Sequence, residues 1–437
     1  MTLNPTPVRT RLKEETRGVH RRTEDLPFFH ALREGRLSLD AYRGYLVALR
    51  IILRSLTEGI QDAHDPRVSA LGGEDGFRLN TLQGDLDSLE HARPRESREA
   101  GWHPHPRAIV RAHLMAQQIR ARARRSPASL LGTAYVLHGS VMGGPTLGKW
   151  AADAFGLRRA SGAEYLSGER ERARAGWERL LERLHAMELS EDETEEVIRA
   201  AVEAFEGFGA VVQALHPEPE DLRTLPLQDL NPSAGDHPIT VDPLELEAAL
   251  RAGEDSWNRF PYYAERYGSR GAAFTRSDSA WLVTLARAPQ EAALANVLWL
   301  SRLLSTRGMP RWLMEEHLLR LHERLVDTTP APAGSWRNLL LAAETLREMR
   351  TAHVTDDEMV SISEAFDASA GASFTRRFPE TGALIAAAVA DEADGIQGAT
   401  RSVRDWFTSR RRFTSSTIQA VKAAVVASET AVQARSR

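Results

Sequence analysis

Hydrophobic side chains recur every three or four residues along most of the chain, which is the spacing of one face of an α-helix. At the start, Leu12, Val19 and Leu26 define an apolar stripe that follows Thr6-Pro7, a favourable helix start. Ser38 is placed to cap a later helix. Strand-like alternation is hard to find, so the pattern predicts an all-α protein.

One segment without helical period divides the chain. The stretch "HPEPEDLRTLPLQDLNPSAGDHP" is rich in proline and predicts an interdomain linker at residues 216–240. We therefore expect a compact helical bundle over residues 1–215. A second, mainly helical domain is expected over residues 241–437.

Composition narrows the classes of function. The net charge of −4 gives no electrostatic argument for nucleic acid or an anionic membrane as a partner. The absence of cysteine excludes thiolate catalysis, zinc-thiolate sites and iron–sulfur clusters. The chain starts without the apolar core of a signal peptide, and its longest apolar stretch, "ALIAAAVA", is too short to cross a bilayer. We expect a soluble cytoplasmic protein with no membrane span and no nucleic-acid partner.

A histidine near the N-terminus is the first candidate for chemistry. Thr16, His20 and Glu24 share one helical face, beside the apolar stripe. At the edge of a buried stripe, an imidazole can point into a cleft while its helix stays anchored. The alternative is a boundary histidine that only hydrogen-bonds Glu24, because such pairs are common on helices.

A glycine-rich stretch, "LHGSVMGGPTLGKW", lies inside an otherwise helical run. Each glycine within a helix costs about 1 kcal/mol relative to alanine, so several together need a reason. Gly139 and Gly143 share a face without side chains, which would let a flat partner reach the backbone and would let the helix kink. Close packing against another helix is the alternative. A planar macrocycle with a metal fits between this face and the imidazole, and histidine is its natural axial ligand here.

Residues 10–56 and 130–157 resemble the heme oxygenase family, the all-helical enzymes that open heme to biliverdin, carbon monoxide and iron. The stretch "LKEETRGVHRRTE" resembles the family's proximal helix, whose histidine ligates heme iron. "YVLHGSVMGGPTLGKW" resembles its distal helix, whose glycines lie over the heme face. Helical order and spacing also fit residues 8–215. The resemblance implies a heme-oxygenase-like bundle followed by a domain that we do not recognise.

The resemblance assigns roles on the proximal and propionate sides. His20 matches the ligand of the heme iron, the only metal that we expect, and Glu24 matches the acid that steadies the proximal side. Lys13 matches a basic residue near a heme propionate. Arg179 and Arg183 lie on the matching helix as alternatives for the propionates.

On the distal side, the resemblance implies a catalytic surface made of Gly139, Ser140, Gly143 and Gly144. Ser140 stands where the mammalian branch has an aspartate that organises distal water, so backbone groups and hydroxyls would have to organise it here. His138 and Pro145 depart from the pattern common in bacterial relatives, which leaves the detail of the distal pocket open.

The implied activity is oxidative ring opening of heme with O2 and external electrons. Heme would be both substrate and oxygen activator. No flavin or NAD fingerprint is found, so a redox partner such as ferredoxin or a flavoprotein reductase would supply the electrons. The alternative is a non-catalytic heme-binding or bilin-linked sensor with a degenerate pocket. Residues 241–437 would then serve a homodimer contact or a bilin-accepting partner.

Other patterns are weaker candidates. A di-iron site needs Glu-x-x-His motifs on two helices, and Glu182–His185 supplies one. The stretch His103-Pro104-His105 could ligate a metal or belong to a proline-rich loop. His317 and His322 are off-face for a shared metal. "RFPYYAERYGSRGAAFTRSDSAWL" would suit a binding surface, but we favour a place in the core.

Overall fold

A computed structural model describes residues 7–71, 77–91, 105–157, 162–168, 170–217 and 224–435. The chain forms two compact units, Met1–Leu222 and Arg223–Arg437. Within the described ranges both units are built almost entirely from α-helices, which confirms the predicted all-α fold. None of the helices in these ranges is long and apolar enough to cross a membrane.

The first unit contains eleven helices among its described residues. They are α1 (Val8–Glu24), α2 (Pro27–Arg33), α3 (Leu39–Asp62), α4 (Pro66–Ser69), α5 (Leu79–His91), α6 (Pro106–Arg125), α7 (Ser129–Val141), α8 (Gly144–Phe155), α9 (Glu164–Ser167), α10 (Arg170–Ala186) and α11 (Glu191–Gln213). The predicted start of the first helix is confirmed, since Pro7 directly precedes α1. The predicted cap is also confirmed, because the Ser38 hydroxyl accepts a hydrogen bond from the Ala41 amide at 3.1 Å.

Helix α11 is the centre of the first unit, because α1, α6 and α7 all pack against it. The apolar stripe of α1 supplies one part of this core, with Leu12 fully buried and Val19 nearly so. At Gly132 of α7 the two backbones meet. A Cβ at this position would overlap the carbonyl oxygen of Val197 on α11, so only glycine permits this approach.

The second unit begins with a short two-stranded antiparallel sheet, β1 (Leu225–Pro226) and β2 (Pro238–Ile239), joined through a 3-10 turn at Leu227–Asp229. Its helices are α12 (Pro243–Arg259), α13 (Tyr262–Ala286), α14 (Gln290–Thr306), α15 (Arg311–Thr328), α16 (Arg337–Thr351), α17 (Asp356–Ala370), α18 (Ala372–Arg377), α19 (Thr381–Ala393), α20 (Ala399–Phe407) and α21 (Ser415–Arg435). A second 3-10 turn, Ala333–Trp336, precedes α16.

The aromatic stretch at the start of α13 lies in the core of the second unit, as we favoured from its sequence. Tyr262 is 3% exposed, and its ring stacks on that of Phe407 with centroids 5.2 Å apart. Gly268 interrupts α13 with a φ of 54°, a conformation that side chains with a Cβ rarely adopt. His317 is also buried, between the hydroxyls of Ser256 and Ser279, and burial lowers its pKa to about 4.

Residues 225–240 differ from the linker expected at residues 216–240. Leu225, Leu227, Leu230 and Ile239 are buried, and the segment packs on α13. The ring of His237 stacks on Trp281 of that helix with centroids 4.9 Å apart. Proline fixes this arm in an irregular path, which removes any helical period, while its leucines still reach the core. The proline content therefore indicated a linker where the structure has a packed arm.

We propose that the two units are separate domains and that the arm belongs to the second. A fragment of residues 223–437 should unfold cooperatively in urea. A fragment of residues 241–437 should be less stable by several kcal/mol, because fully burying one leucine contributes about 1.5–3 kcal/mol. Leu227→Asp in the full chain is the matched point variant. Equal urea midpoints for the two fragments would show that the arm contributes nothing.

Candidate functional site

The exposed end of α1 carries the candidate histidine. Thr16 is buried and its hydroxyl donates to the Leu12 carbonyl at 2.6 Å, whereas the His20 side chain is 53% exposed. Glu24, one turn further on, has a carboxylate oxygen 3.5 Å from the Nε2 atom of His20. The imidazole is thus held at the edge of the buried stripe with one face open to solvent, and it has the acidic neighbour that the spacing predicted.

An aromatic ring supports the imidazole from the other side. Phe205 of α11 lies with its ring centroid 5.1 Å from that of His20, and the two planes are tilted by 53°. A tilted aromatic contact at this distance is favourable and restricts rotation of the imidazole. Phe205 therefore helps to set the direction in which His20 points.

The glycine-rich helix bends where two glycines follow Met142. Helix α7 ends at Val141 and α8 begins at Gly144, with no proline between them. The amides of Met142 and Gly143 donate to carbonyls three residues earlier, on Gly139 and Ser140, each at 3.1 Å. Tighter bonds of this kind replace the α-helical ones locally and turn the chain.

The glycines of this stretch play two different physical roles. A Cβ on Gly144 would lie 2.9 Å from the Leu166 carbonyl oxygen, and a Cβ on Gly148 would lie 2.5 Å from the Ser167 hydroxyl. These two glycines let α8 pack closely on α9, which is the close-packing alternative. Gly143 is exposed, and a Cβ there would approach only its own helix, at 3.6 Å from the Ser140 carbonyl oxygen.

Gly139 faces a flat group, but that group belongs to the protein. The six-membered ring of Trp177, on α10, lies 3.3 Å from where a Cβ of Gly139 would be. The indole also packs against Tyr135 of α7, with centroids 5.1 Å apart and planes tilted by 45°. Gly139 thus carries no side chain on this face, and Trp177 of α10 covers the face in this structure.

Tyr135 connects the glycine helix with α1. Burial raises the pKa of the Tyr135 hydroxyl, while the neighbouring Thr16 hydroxyl and the charge of Arg9 act to lower it. Both Thr16 and Arg9 lie on α1. The two helices therefore approach each other at the level of Thr16 and Tyr135.

Helix α1 runs in the same direction as α11. Near its start, the Arg11 guanidinium contacts Glu191 at 3.0 Å and Glu195 at 2.5 Å, both at the start of α11. Near its end, His20 contacts Phe205, which lies further along α11. The two helices are therefore in parallel register.

Helix α6 is antiparallel to α11, because Met115 lies against Gly207 while Arg122, a later residue, lies 3.5 Å from Glu196. A short turn at residues 126–128 follows, and α7 then packs on α11 at Gly132. His20 lies one turn after Thr16 on α1, and Gly139 lies one turn after Tyr135 on α7. The approach of Thr16 to Tyr135 therefore brings together the two helices that carry the candidate residues.

Ser140 and His138 flank Gly139 on different sides of the helix. Ser140 is exposed, and its hydroxyl donates to the Leu137 carbonyl of its own helix at 2.7 Å. The ring of His138 packs on Phe77 with centroids 4.6 Å apart, and burial lowers the pKa of His138 to about 4. His138 is therefore neutral near pH 7.

The three basic side chains predicted to bind the heme propionates differ in their contacts. Lys13 is exposed on α1, two turns before His20. Arg183 donates a hydrogen bond to the Ala70 carbonyl after α4. Arg179 is exposed, and no hydrogen bond or ion pair is recorded for it within the described residues. Arg179 is thus the more available of the two arginines on α10.

The weaker candidates from the sequence are placed as follows. Glu182 and His185 are both exposed on α10, His105 is buried at the start of α6, and His103 and Pro104 lie outside the described residues. Across the described part of the chain, no group of three or more histidine or acidic side chains is placed to hold a metal ion.

Trp177, Tyr135 and Phe205 lie beside the candidate residues and were not found from the sequence. Trp177 is the one aromatic residue of α10, a helix otherwise rich in arginine and glutamate, and that contrast was the available signal. Tyr135 and Phe205 lie in long apolar helices, where an aromatic residue is most often part of the core. Their place at the site depends on helix register, which no local pattern contains.

The described residues define an all-helical bundle that carries a partly exposed histidine on α1 and, at Gly139 on α7, a helix face without a side chain. Residues 6–214, just under half of the chain, match the family model described as heme oxygenase. The resemblance of residues 8–215 to the heme oxygenase family is therefore confirmed. No family covers the C-terminal unit, and no curated protein matches the sequence.

Three solved structures illustrate the similarity. Heme oxygenase from Leptospira interrogans is 19% identical, with 48% of this chain and 99% of that chain covered and a TM-score of 0.41. Heme oxygenase-1 from the cyanobacterium Synechocystis, in complex with heme, is 18% identical over 48% and 93%, with a TM-score of 0.41. Heme oxygenase 2 from Chlamydomonas reinhardtii, without heme, is 18% identical over 49% and 100%, also with a TM-score of 0.41.

The two roles of glycine lead to a stability prediction. Gly144→Ala and Gly148→Ala should each lower the free energy of unfolding by about 1–3 kcal/mol, because the new methyl groups would press on α9. Gly143→Ala is the matched control and should be neutral or slightly stabilising, since its backbone is helical and its surroundings are open. Urea unfolding of the full chain measures all three. Equal losses at all three positions would contradict this division.

Proposed function

We propose that the N-terminal unit binds heme through His20 and opens it oxidatively to biliverdin, carbon monoxide and iron, with O2 and external electrons. Its membership of the heme oxygenase family supports a heme-directed function. The observation that carries the proposal is that α1, with a partly exposed imidazole at His20, and α7, with no side chain at Gly139, approach each other near Thr16 and Tyr135. Heme supplies both the ring that is opened and the iron that activates oxygen.

The proximal side fits this substrate. An exposed imidazole with a neutral ring nitrogen is a suitable iron ligand, and a carboxylate on its other nitrogen fixes the tautomer. In this structure Nε2 is the nitrogen beside Glu24. Rotation of the ring by half a turn would place Nδ1 at Glu24 and turn Nε2 outward. Glu24 and Phe205 would then hold the ring in this orientation.

The distal side fits the same substrate once Trp177 has moved. The indole lies 3.3 Å from where a Cβ of Gly139 would be, so a second flat ring cannot occupy the same space. With the indole displaced, neither Gly139 nor Gly143 carries a side chain that would keep a macrocycle from the helix. Gly144 then contributes through its packing on α9, which positions the bend, rather than through contact with substrate.

Basic side chains are available for the propionates. Lys13 precedes His20 by seven residues on one face of α1, which corresponds to about 10 Å along the helix axis. Arg179 is exposed on α10, whereas Arg183 is engaged with the Ala70 carbonyl. We propose Lys13 and Arg179 as the propionate partners.

Ser140 takes part through its oxygen. The Ser140 hydroxyl donates a hydrogen bond to the Leu137 carbonyl, so its oxygen still has lone pairs that can accept a hydrogen bond from water. Ser140 would thus orient a distal water as an acceptor, together with backbone groups near the bend. This is a modest contribution, of the size of one hydrogen bond.

The reaction also needs partners. Heme and O2 do not supply all the electrons that ring opening consumes, so we propose a ferredoxin or a flavoprotein reductase as the donor. The proposed location is the cytoplasm. The C-terminal unit, residues 241–437 together with the arm, is proposed to serve a homodimer contact or a bilin-accepting partner.

A second function has specific support in the structure. Trp177 covers Gly139, and the Ser140 hydroxyl donates to the Leu137 carbonyl of its own helix. Both features would suit a unit that binds heme without degrading it. Such a protein would be a heme-binding or bilin-linked sensor. Consumption of bound heme under reducing conditions separates the two functions.

Loss of the proposed ligand gives the first functional test. His20→Ala should abolish the histidine-ligated Soret spectrum of the ferric hemin complex, and added imidazole should restore it. His185→Ala, which removes an exposed histidine on α10, is the control and should leave the spectrum unchanged. An unaltered spectrum in the His20 variant would place the ligand elsewhere.

Turnover gives the second test. With hemin, oxygen and ascorbate or reduced ferredoxin, the protein should lose its Soret band, show biliverdin absorption and release carbon monoxide. Ser140→Ala should slow this about five-fold, as expected for one hydrogen bond of about 1 kcal/mol. Ser88→Ala is matched, because the Ser88 hydroxyl also donates to a carbonyl of its own helix, on Gly84 at 2.8 Å. Heme that stays intact with His20 ligated would favour the sensor function.

A further inference from the structure

One aromatic side chain outside the sequence motifs lies against the helix face of the proposed site. The six-membered ring of Trp177 is 3.3 Å from where a Cβ of Gly139 would be. The indole therefore fills space over Gly139 that a macrocycle on this face would need. The indole and a ligand cannot occupy this space at the same time.

The contacts of Trp177 are few enough to be broken. The indole is only partly buried, and within the described residues Tyr135 is the one aromatic ring that it packs against. Its indole nitrogen makes no hydrogen bond to any part of the chain that the structure describes. An aromatic pair of this kind is a weak restraint. Its loss would change the equilibrium between the covered and uncovered states of Gly139 only a few-fold.

The helix that carries Trp177 is itself loosely attached. Of the side chains described on α10, only Leu180 and Leu184 are buried. Gly176 directly precedes Trp177, and a Cβ there would meet only an arginine of the same helix at 3.9 Å. Glycine inside a helix lowers its stability, so the turn that carries the indole is easier to deform than its neighbours.

We propose that Trp177 is a displaceable cover of the Gly139 surface, which leaves when a porphyrin ligand enters and returns when the site empties. This proposal rests on the proposed heme-binding function of the N-terminal unit. The apparent affinity for the porphyrin is then reduced in proportion to the fraction of molecules in which Trp177 leaves the Gly139 surface uncovered. Arg179 lies on the same helix, so capture of a propionate and displacement of the indole are movements of one element.

The rate of hemin binding to the full chain tests the cover. Trp177→Ala should raise the association rate constant about two- to ten-fold in stopped-flow absorbance, in line with loss of one aromatic pair. Trp177→Phe should fall between this variant and the wild type. Glu178→Ala, which removes an exposed side chain from the next position, is the control and should bind at the wild-type rate.

A second measurement does not depend on the alanine variant folding. The full chain is labelled with 5-fluorotryptophan, and the Trp177 resonance is assigned by its absence in Trp177→Phe. Gallium protoporphyrin IX, which is diamagnetic and cannot be turned over, should shift this resonance more than those of the eight other tryptophans. An unshifted resonance in a saturated complex would overturn the proposal.

The outcomes separate the cover from the function on which it rests. Slower or weaker hemin binding in Trp177→Ala, with ligation through His20 intact, would make Trp177 a fixed wall of the pocket and overturn the cover alone. Turnover to biliverdin would then still support the proposed enzyme. Absence of histidine-ligated hemin in both wild type and Trp177→Ala would overturn the function and the cover together.

Discussion

The arrangement of the first unit depends on a backbone contact between α7 and α11 at Gly132. No side chain separates the two helices there, so α7 lies closer to α11 than ordinary packing allows. Helix α1 is registered on the same α11 through Arg11 and Phe205. Helices α1 and α7, which carry His20 and Gly139, are therefore both positioned by α11. A change in how either helix packs on α11 would move His20 relative to Gly139.

Glycine serves opposite purposes within one short stretch of this chain. At Gly144 and Gly148 its small size allows protein to approach protein, whereas at Gly139 it leaves a surface that a flat group can cover. At Gly144 and Gly148, glycine lets α8 pack on α9 next to the bend. At Gly139, it leaves a helix face that a flat ligand could contact. In this structure Trp177 covers that surface.

The C-terminal unit shows how weak periodicity can hide a packed segment. Its arm has prolines that break helical spacing, yet Leu225, Leu227 and Leu230 are buried on the unit. A buried histidine, His317, is satisfied by two serine hydroxyls and behaves as a core residue. These features give the unit a stable interior and explain its aromatic content without assigning it a ligand.

The sequence by itself determined the helices, several of their start positions and the two motifs of the heme oxygenase family. These properties are local, because capping, apolar spacing and motif residues depend on neighbours within a few turns. It also determined that His20 lies at the edge of a buried stripe beside Glu24. Only the tertiary structure decided which glycines pack on protein, that Arg183 is engaged with Ala70, and that Trp177 covers Gly139. Those facts depend on the register between helices that are far apart in sequence, and periodicity along one helix carries no information about its partner.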